Sequence, residues 1–567
     1  MGFLISFKFI EIALNCKTLN NITIYDLCSK KMGAQNKNIT YKKIVEKTKF
    51  WPIVQLFENR NKFMEDVSKK TEKKIQKKIK ENELYEEILN TVYKEKLRIS
   101  NLSWNADPKD DKEFWNCIKS KILKFERDRY NKKISKEILP EIIQRYTKEI
   151  TGNFKRSHYS FAKRVIISFL NRLLNTSRLR NPFGNLNLDS TINIVGKKNR
   201  LRKLSKIGTI VMVPTHFSHL DSALIGYIIS HLGLPAFMYG AGLVLYNLKI
   251  FSYFFNSLGA YKVDRRKKHL LYLETLKTYT EEAIINDCHN LFYPGGTRSR
   301  SGSIEKNLKL GLLGSALEAQ KEITKRNKKI FIVPITFNYQ FVLEGPALIN
   351  QYISSKSSSD YHLKNLGYSN TYKILLFLIK YFTQSNKIAV SIGSPMDVYG
   401  NKVDNYGNTQ ENKNLKKHLK NKKEILNNLS EKIIDEFMKG TVVFPSTLVA
   451  FTAFEIIRKK FKKIDIINMI SLPEDEVTIS LDKFKKNYNK IIINIKKLAL
   501  YKKIKLSNEL KLDIEKQIRN GCQKLGLYHT PKPVILKKNG IVIKNMKMLY
   551  YYRNRLEGFD LDKCFFN

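Results

Sequence analysis

The stretch TIVMVPTHFSHLDSALI, residues 209–225, decides how the rest of the chain is read. Thr209–Val213 is a short β-branched, apolar run of the kind that fills a buried strand, and Pro214 closes it. Ser218 and Asp221 then have the spacing of a capping box that opens a helix. Strand, short turn and helix in that order make one unit of an α/β layer. Outward from it the pattern repeats: NLFY at 290–293, IFIVPIT at 330–336 and KIAVSI at 387–392 read as apolar strands separated by helical stretches. They predict an α/β domain with a largely buried sheet within residues 141–398. Pro334, inside IFIVPIT, marks an edge or a bulge, because proline cannot donate to a ladder. Residues 1–140 read as a Lys-rich helical region, 399–423 as a polar linker or surface loop, and 424–567 as mainly helical.

At 567 residues, 43% hydrophobic and 27% charged, the chain has ordinary globular composition, which excludes collagen, a coiled-coil rod and full disorder. Lys and Arg number 102 against 52 Asp and Glu, and the resulting +50 points to a polyanionic partner: nucleic acid, anionic membrane or phosphorylated substrate. The chain, with stretches such as NKNLKKHLKNKK, is dense in Lys, Ile and Asn, the residues that AT-rich codons encode, and genome composition is the plainer alternative source of the excess. Cys16, Cys28, Cys117, Cys288, Cys522 and Cys564 lie far apart with no CxxC pair, so neither a disulfide framework nor a metal site is expected. Met1–Cys16 looks faintly like a signal segment, but Lys8 and Glu11 interrupt it, and it reads as a short helix or extension. Met1-Gly2 with Ser6 also fits a loose myristoylation pattern. Ser222–Leu248 holds no charged residue and is long enough to cross a bilayer. Its glycines and Pro235 divide it instead into buried helix, turn and strand, and a transmembrane helix is the alternative.

Chemistry concentrates in three places. His216 and Asp221 would stand about 140° apart within one helix, so they meet only across a loop-to-helix turn. Such a turn follows the carboxyl end of a strand, where open α/β sheets bind ligands. A His held by a carboxylate is what abstraction of an alcohol proton needs. In FYPGGTRSRSG, residues 292–302, Gly295 and Gly296 let backbone N–H groups face a concavity beside Thr297, Arg298, Ser299 and Arg300. Backbone donors and guanidinium forks suit a phosphate or an oxyanion; a solvated basic turn is the plainer alternative. GAYKVDRRKK, residues 259–268, adds Arg265 and Arg266, a weak signal by itself.

In their order along the chain, HFSHLD, GAYKVDRR, FYPGGTRSRSG and VPITFNY resemble the four blocks of the glycerolipid acyltransferases. The stronger likeness is to the long bacterial and mitochondrial type of glycerol-3-phosphate acyltransferase. FAKRVIISFLNRLLN, TVVFPSTLVAFTAF and LYYYRNRLEG, outside the blocks, are similar to that branch too. The resemblance implies an α/β acyltransferase domain, a mixed sheet flanked by helices. It makes His216, of the HX4D motif, the general base and Asp221 its partner. Arg265, Gly295, Gly296, Thr297, Arg298, Ser299 and Arg300 would then hold the acceptor phosphate or the oxyanion, and Val333 and Pro334 would shape the acyl site. Two departures stand out: the family commonly has Glu where Gly295 stands, and Asp264 before Arg265 is a trait of the lysophosphatidate branch. His219 reads as a structural residue at the helix start.

The implied activity is transfer of a fatty acyl group from a thioester, acyl-CoA or acyl carrier protein, to glycerol 3-phosphate. It requires no cofactor, metal or covalent enzyme intermediate. The expected partners are those substrates and an anionic membrane surface, with peripheral binding at a cytoplasmic face and no nucleic acid. Lysophosphatidate or dihydroxyacetone phosphate is the alternative acceptor. A basic membrane- or RNA-binding scaffold, its acyltransferase domain decayed at Gly295, is the non-enzymatic alternative.

Overall fold

The computed structural model describes residues 41–127, 134–164, 191–243, 246, 255–342, 344–356, 387–409, 421–461, 463–471, 477–525, 529 and 531–566. The Met1–Cys16 segment, FAKRVIISFLNRLLN beyond Arg164 and residues 412–420 of the Lys-rich stretch lie outside the described residues.

Seven strands form the central sheet: β1 (Ile192–Gly196), β2 (Gly208–Pro214), β3 (Met238–Gly242), β4 (Ala260–Val263), β5 (Asn290–Leu291), β6 (Lys329–Tyr339) and β7 (Ile388–Ile392). Their order is β1-β7-β6-β2-β5-β3-β4, with neighbours parallel except β6 and β7, so the sheet is mixed. Every residue of β2 from Thr209 and of β6 from Ile330 is buried, as expected of strands covered on both faces.

Pro334 stands at a bulge, not at an edge: antiparallel pairing through Ile335–Ile392 resumes at Ile332–Met396, with three residues of one segment opposite two of the other. The proline lies inside β6, opposite Val213 in unbroken register with β2. Its carbonyl accepts the Gly393 N–H at 2.9 Å, just past the end of β7 at Ile392. The missing donor therefore falls in the bulged stretch between Ile392 and Met396, and the ladder with β2 loses no bond. The NLFY run is a strand only at Asn290–Leu291, because a turn closed by the Gly296 N–H on the Tyr293 carbonyl (3.0 Å) begins there.

Helices α1 (Pro52–Glu58), α2 (Arg60–Lys78), α3 (Glu81–Asn101), α4 (Asp111–Arg127) and α5 (Leu139–Ile150) precede the sheet. Within it run α6 (Lys198–Ile207), α7 (Leu220–His231), α8 (Leu270–Ile285), α9 (Leu310–Ile323) and α10 (Gly345–Ser354), and α11 (Lys422–Lys439), α12 (Pro445–Arg458), α13 (Leu481–Leu500), α14 (Ile514–Leu525) and α15 (Met546–Arg553) follow. The uncharged run from Ser222 contains α7, a turn and β3, and no described helix is long and apolar enough to cross a membrane. Gly233, at φ +65°, ends α7: Leu234 N–H reaches the Ile229 carbonyl at 3.0 Å, and a Cβ on Gly233 would lie 2.6 Å from the Lys42 carbonyl.

Among the described residues, the two largest apolar cores hold most of the fold. One joins the sheet to the carboxyl-terminal helices, where α12 is buried from Pro445 to Ile457. The other joins α1–α5 to α8 and to Met238 and Tyr261 of β3 and β4, around the fully buried Trp115, Tyr146 and Tyr279. Each large apolar side chain so placed contributes roughly 1.5–3 kcal/mol. The amino-terminal helices thus pack directly against the half of the sheet that carries β4.

Candidate active site

The Ser218–Asp221 pair forms a capping-box arrangement ahead of α7: the Ser218 hydroxyl oxygen accepts the Leu220 N–H at 3.2 Å, and Asp221 accepts the Ser218 N–H. The regular helix starts at Leu220, just after His219, and Asp221 reaches back from it onto the loop. Its Oδ2 accepts from His216 Nδ1 at 2.8 Å, the Phe217 N–H at 2.7 Å and the Ser218 N–H at 3.0 Å. The Tyr339 hydroxyl, at the end of β6, donates to Oδ1. Four donors satisfy a fully buried carboxylate that would otherwise be costly to desolvate. An ionised carboxylate only accepts, so His216 carries its proton on Nδ1 and presents Nε2 as a base. The His216 ring stacks on Tyr293, centroids 4.1 Å apart and planes at 24°, which fixes its orientation.

The third block closes around this pair. The Ser299 N–H donates to the His216 carbonyl at 2.8 Å, and the His216 N–H donates to Glu305 Oε1 at 3.3 Å. Ser299 and Glu305, which hold the His216 main chain, also line a cleft of about 370 Å³ with Gly295, Thr297, Arg298 and Arg300; His216 and Asp221 themselves are not in its wall. Of the two glycine N–H groups expected to face a ligand, that of Gly296 is spent on the Tyr293 carbonyl. Arg298 Nη1 lies 3.6 Å from Glu344 Oε1. Glu344 also accepts the His219 N–H at 2.8 Å and the Ser218 hydroxyl at 3.1 Å, tying first block to third. Among the described residues no carboxylate pairs with Arg300. Burial pushes the His219 imidazole down to about 3, with Arg298 and His216 adding to the effect, so it is neutral at ordinary pH. Burial likewise pushes Glu305 up to about 7 against the His216 N–H and Arg555, which favour its ionised form.

The second block is held from outside the domain. Arg266 stacks on Trp104 at 3.9 Å and pairs with Asp264 (2.7 Å) and Asp107 (3.1 Å to Oδ2). Lys267, 2% exposed, bonds Glu149 at 2.6 Å and approaches Glu95 at 3.3 Å. Arg265, between them, presents an exposed surface; the protein packed around it and the Arg298 charge lower its pKa.

Comparison with known proteins matches residues 192–338 to an acyltransferase family. The chain is similar to glycerol-3-phosphate acyltransferases of Alteromonas mediterranea, 27% identical over 41% of this chain and 26% of that protein, and of Actinobacillus pleuropneumoniae, 27% over 50% and 31%. One from Baumannia cicadellinicola is 31% identical over 26% of this chain and 18% of that protein. Residues 192–338 thus match an acyltransferase domain. The matched segment spans less than a third of the length of each of these relatives.

The acyltransferase domain brings His216 and Asp221 together with Gly295, Thr297, Arg298, Ser299 and Arg300. Arg265 feels the Arg298 charge and is not in the cleft wall. Val333 and Pro334 are buried in β6 next to β2, and neither lines the cleft. Tyr339, Glu344, Glu305 and Arg555 escaped the reading of the sequence. Arg555 sits in the quoted LYYYRNRLEG segment, its guanidinium 3.2 Å over the Phe217 ring. Gly302, at φ +84°, lets that segment approach, since a Cβ there would lie 2.1 Å from the Tyr551 carbonyl. Among the described residues, Glu281, Glu282 and Glu322 of the acyltransferase domain are spaced for a metal ion, but Lys70 and Lys74 already pair with these carboxylates.

Proposed function

We propose that this chain is a glycerol-3-phosphate 1-O-acyltransferase that moves a fatty acyl group from acyl-CoA or acyl carrier protein to glycerol 3-phosphate. The observation that carries the reading is the 2.8 Å contact between His216 Nδ1 and Asp221, joined through the His216 main chain to a cleft walled by Arg298 and Arg300. Nε2 takes the proton of the acceptor hydroxyl as its oxygen attacks the thioester carbonyl. The tetrahedral intermediate expels the thiolate, which recovers that proton from His216, leaving an ester and a free thiol. Third-block donors stabilise the oxyanion, and the arginines hold the acceptor phosphate. Asp264 is buried and committed to Arg266, so the lysophosphatidate-like trait serves structure here. The acyl chain and product belong to a bilayer, and the basic surface supports peripheral binding to an anionic cytoplasmic leaflet.

The test is purified protein with labelled glycerol 3-phosphate and either thioester, with lysophosphatidate and dihydroxyacetone phosphate as competing acceptors. Labelled lysophosphatidate as the main product is expected. Preference for another acceptor, or no product with any, would sink the assignment.

A further inference from the structure

Gly295 has no side chain, and Glu305 occupies the space that one would fill. A Cβ at position 295 would lie 2.7 Å from Glu305 Cγ, 2.9 Å from its Oε1 and 3.2 Å from its Cδ, and these are its three nearest atoms. The Gly295 backbone is outside the left-handed region, so the obstacle to a side chain there is the space that Glu305 fills and not backbone strain. The Glu305 carboxyl is also bound to the base: Oε1 accepts the His216 N–H, while Oε2 is buried with no hydrogen-bond partner. Behind it stands Arg555, buried on the face of Phe217 with neither terminal nitrogen hydrogen-bonded, and its charge favours the ionised carboxyl. Burying a carboxyl with one oxygen unpaired is costly, so simple filling of the gap at Gly295 would favour an apolar residue.

We propose that Glu305 supplies, from across the loop, the carboxyl that position 295 lacks, positioning the His216 main chain and walling the acceptor side of the cleft. The inference rests on the acyltransferase reading of the site. On it, Gly295 is one half of an exchange and not a sign of decay.

The two positions can be swapped in the full chain. Glu305→Ala is expected to lower kcat roughly 10–100-fold, the scale of a small misplacement of a reacting group, with the donor KM unmoved. Glu305→Gln, of the same shape, guards against loss of folding and should fall between Glu305→Ala and wild type. Gly295→Glu alone should be poorer than wild type, since two carboxyls then contend for one space. Gly295→Glu with Glu305→Ala should recover most of the lost kcat, which a packing role would not produce. Unchanged kcat in both Glu305 variants, or a double variant no better than Glu305→Ala, overturns the inference. The titration of the His216 imidazole by NMR in the same proteins reads the contact without turnover. A midpoint displaced in Glu305→Ala and returned in the double variant supports the inference, and an unmoved one overturns it. Wild-type protein inactive with every acceptor while that NMR response appears would sink the functional reading alone.

Discussion

The Ser299 backbone N–H is hydrogen-bonded to the His216 carbonyl at 2.8 Å, so the arginine-bearing loop and the base share a main-chain strap. Because the strap uses no side chain, it survives substitution of Arg298 or Arg300. Changes in turnover at those positions therefore report on chemistry more than on loop geometry.

His216→Ala should lower kcat by at least ~10²–10⁴, the usual worth of a general base, with the fold intact. Asp221→Asn should be similarly severe and should also cost stability, because Oδ2 serves two backbone N–H groups as well as the imidazole. Steady-state kinetics with a thermal melt checks both. Normal turnover in either variant would remove His216 and Asp221 from the mechanism.

Replacing Arg298 or Arg300 by Ala should raise the acceptor KM or lower kcat/KM by roughly 10–150-fold, since a hydrogen bond to a charged group is worth about 1.5–3 kcal/mol. The donor KM should hold. Lys should rescue poorly at either site, having charge but no planar fork. An acceptor KM indifferent to both substitutions would mean that the phosphate binds elsewhere.

Asp107→Ala removes a partner that Arg266 and Arg98 share in a buried setting, where losing one side of a pair costs about 3–5 kcal/mol. Denaturant unfolding should register that loss. The acceptor KM should rise with it, because Arg265 is the next residue to Arg266. Wild-type stability would show that the amino-terminal helices do not brace the second block.

Stability should fall as pH rises from about 5 to about 8 on account of Glu305, whose carboxyl burial pushes up to about 7. Between the unfolded and folded values the native state binds more protons, so the slope of stability against pH is negative there. Glu305→Gln removes this term, so melting temperatures should show the variant gaining on wild type above pH 7 and not at pH 5. Parallel curves for the two proteins would contradict it.

Washed membranes should release a substantial fraction of the protein into high salt or alkaline carbonate, because salt screens a basic surface and no described helix can span a bilayer. Full retention after both treatments would point to an anchor outside the described residues.

What the sequence disclosed follows from how each element is buried. β2 and β6 are covered on both faces, so their apolar runs stand out, whereas β3 is the glycine-interrupted MYGAG and β4 the four-residue AYKV, too short to show a period. Pro334 was legible as a bulge because its missing N–H falls where the antiparallel pairing of β6 shifts register by one residue. The His216–Asp221 contact is local, five positions across one turn, and so was legible. Glu305, Tyr339 and Glu344 reach the first block from 89, 118 and 125 positions away, and no spacing rule carries that far.

Lys267 finds both its carboxylates, Glu95 and Glu149, on α3 and α5, well ahead of the first strand of the sheet. A chimera that grafts a relative's four blocks onto this chain, or these blocks onto a relative, would bring buried cations to a host without their counter-ions. The breakpoint for such recombination therefore lies before Glu95, and the smallest transplantable unit includes helices that carry none of the chemistry.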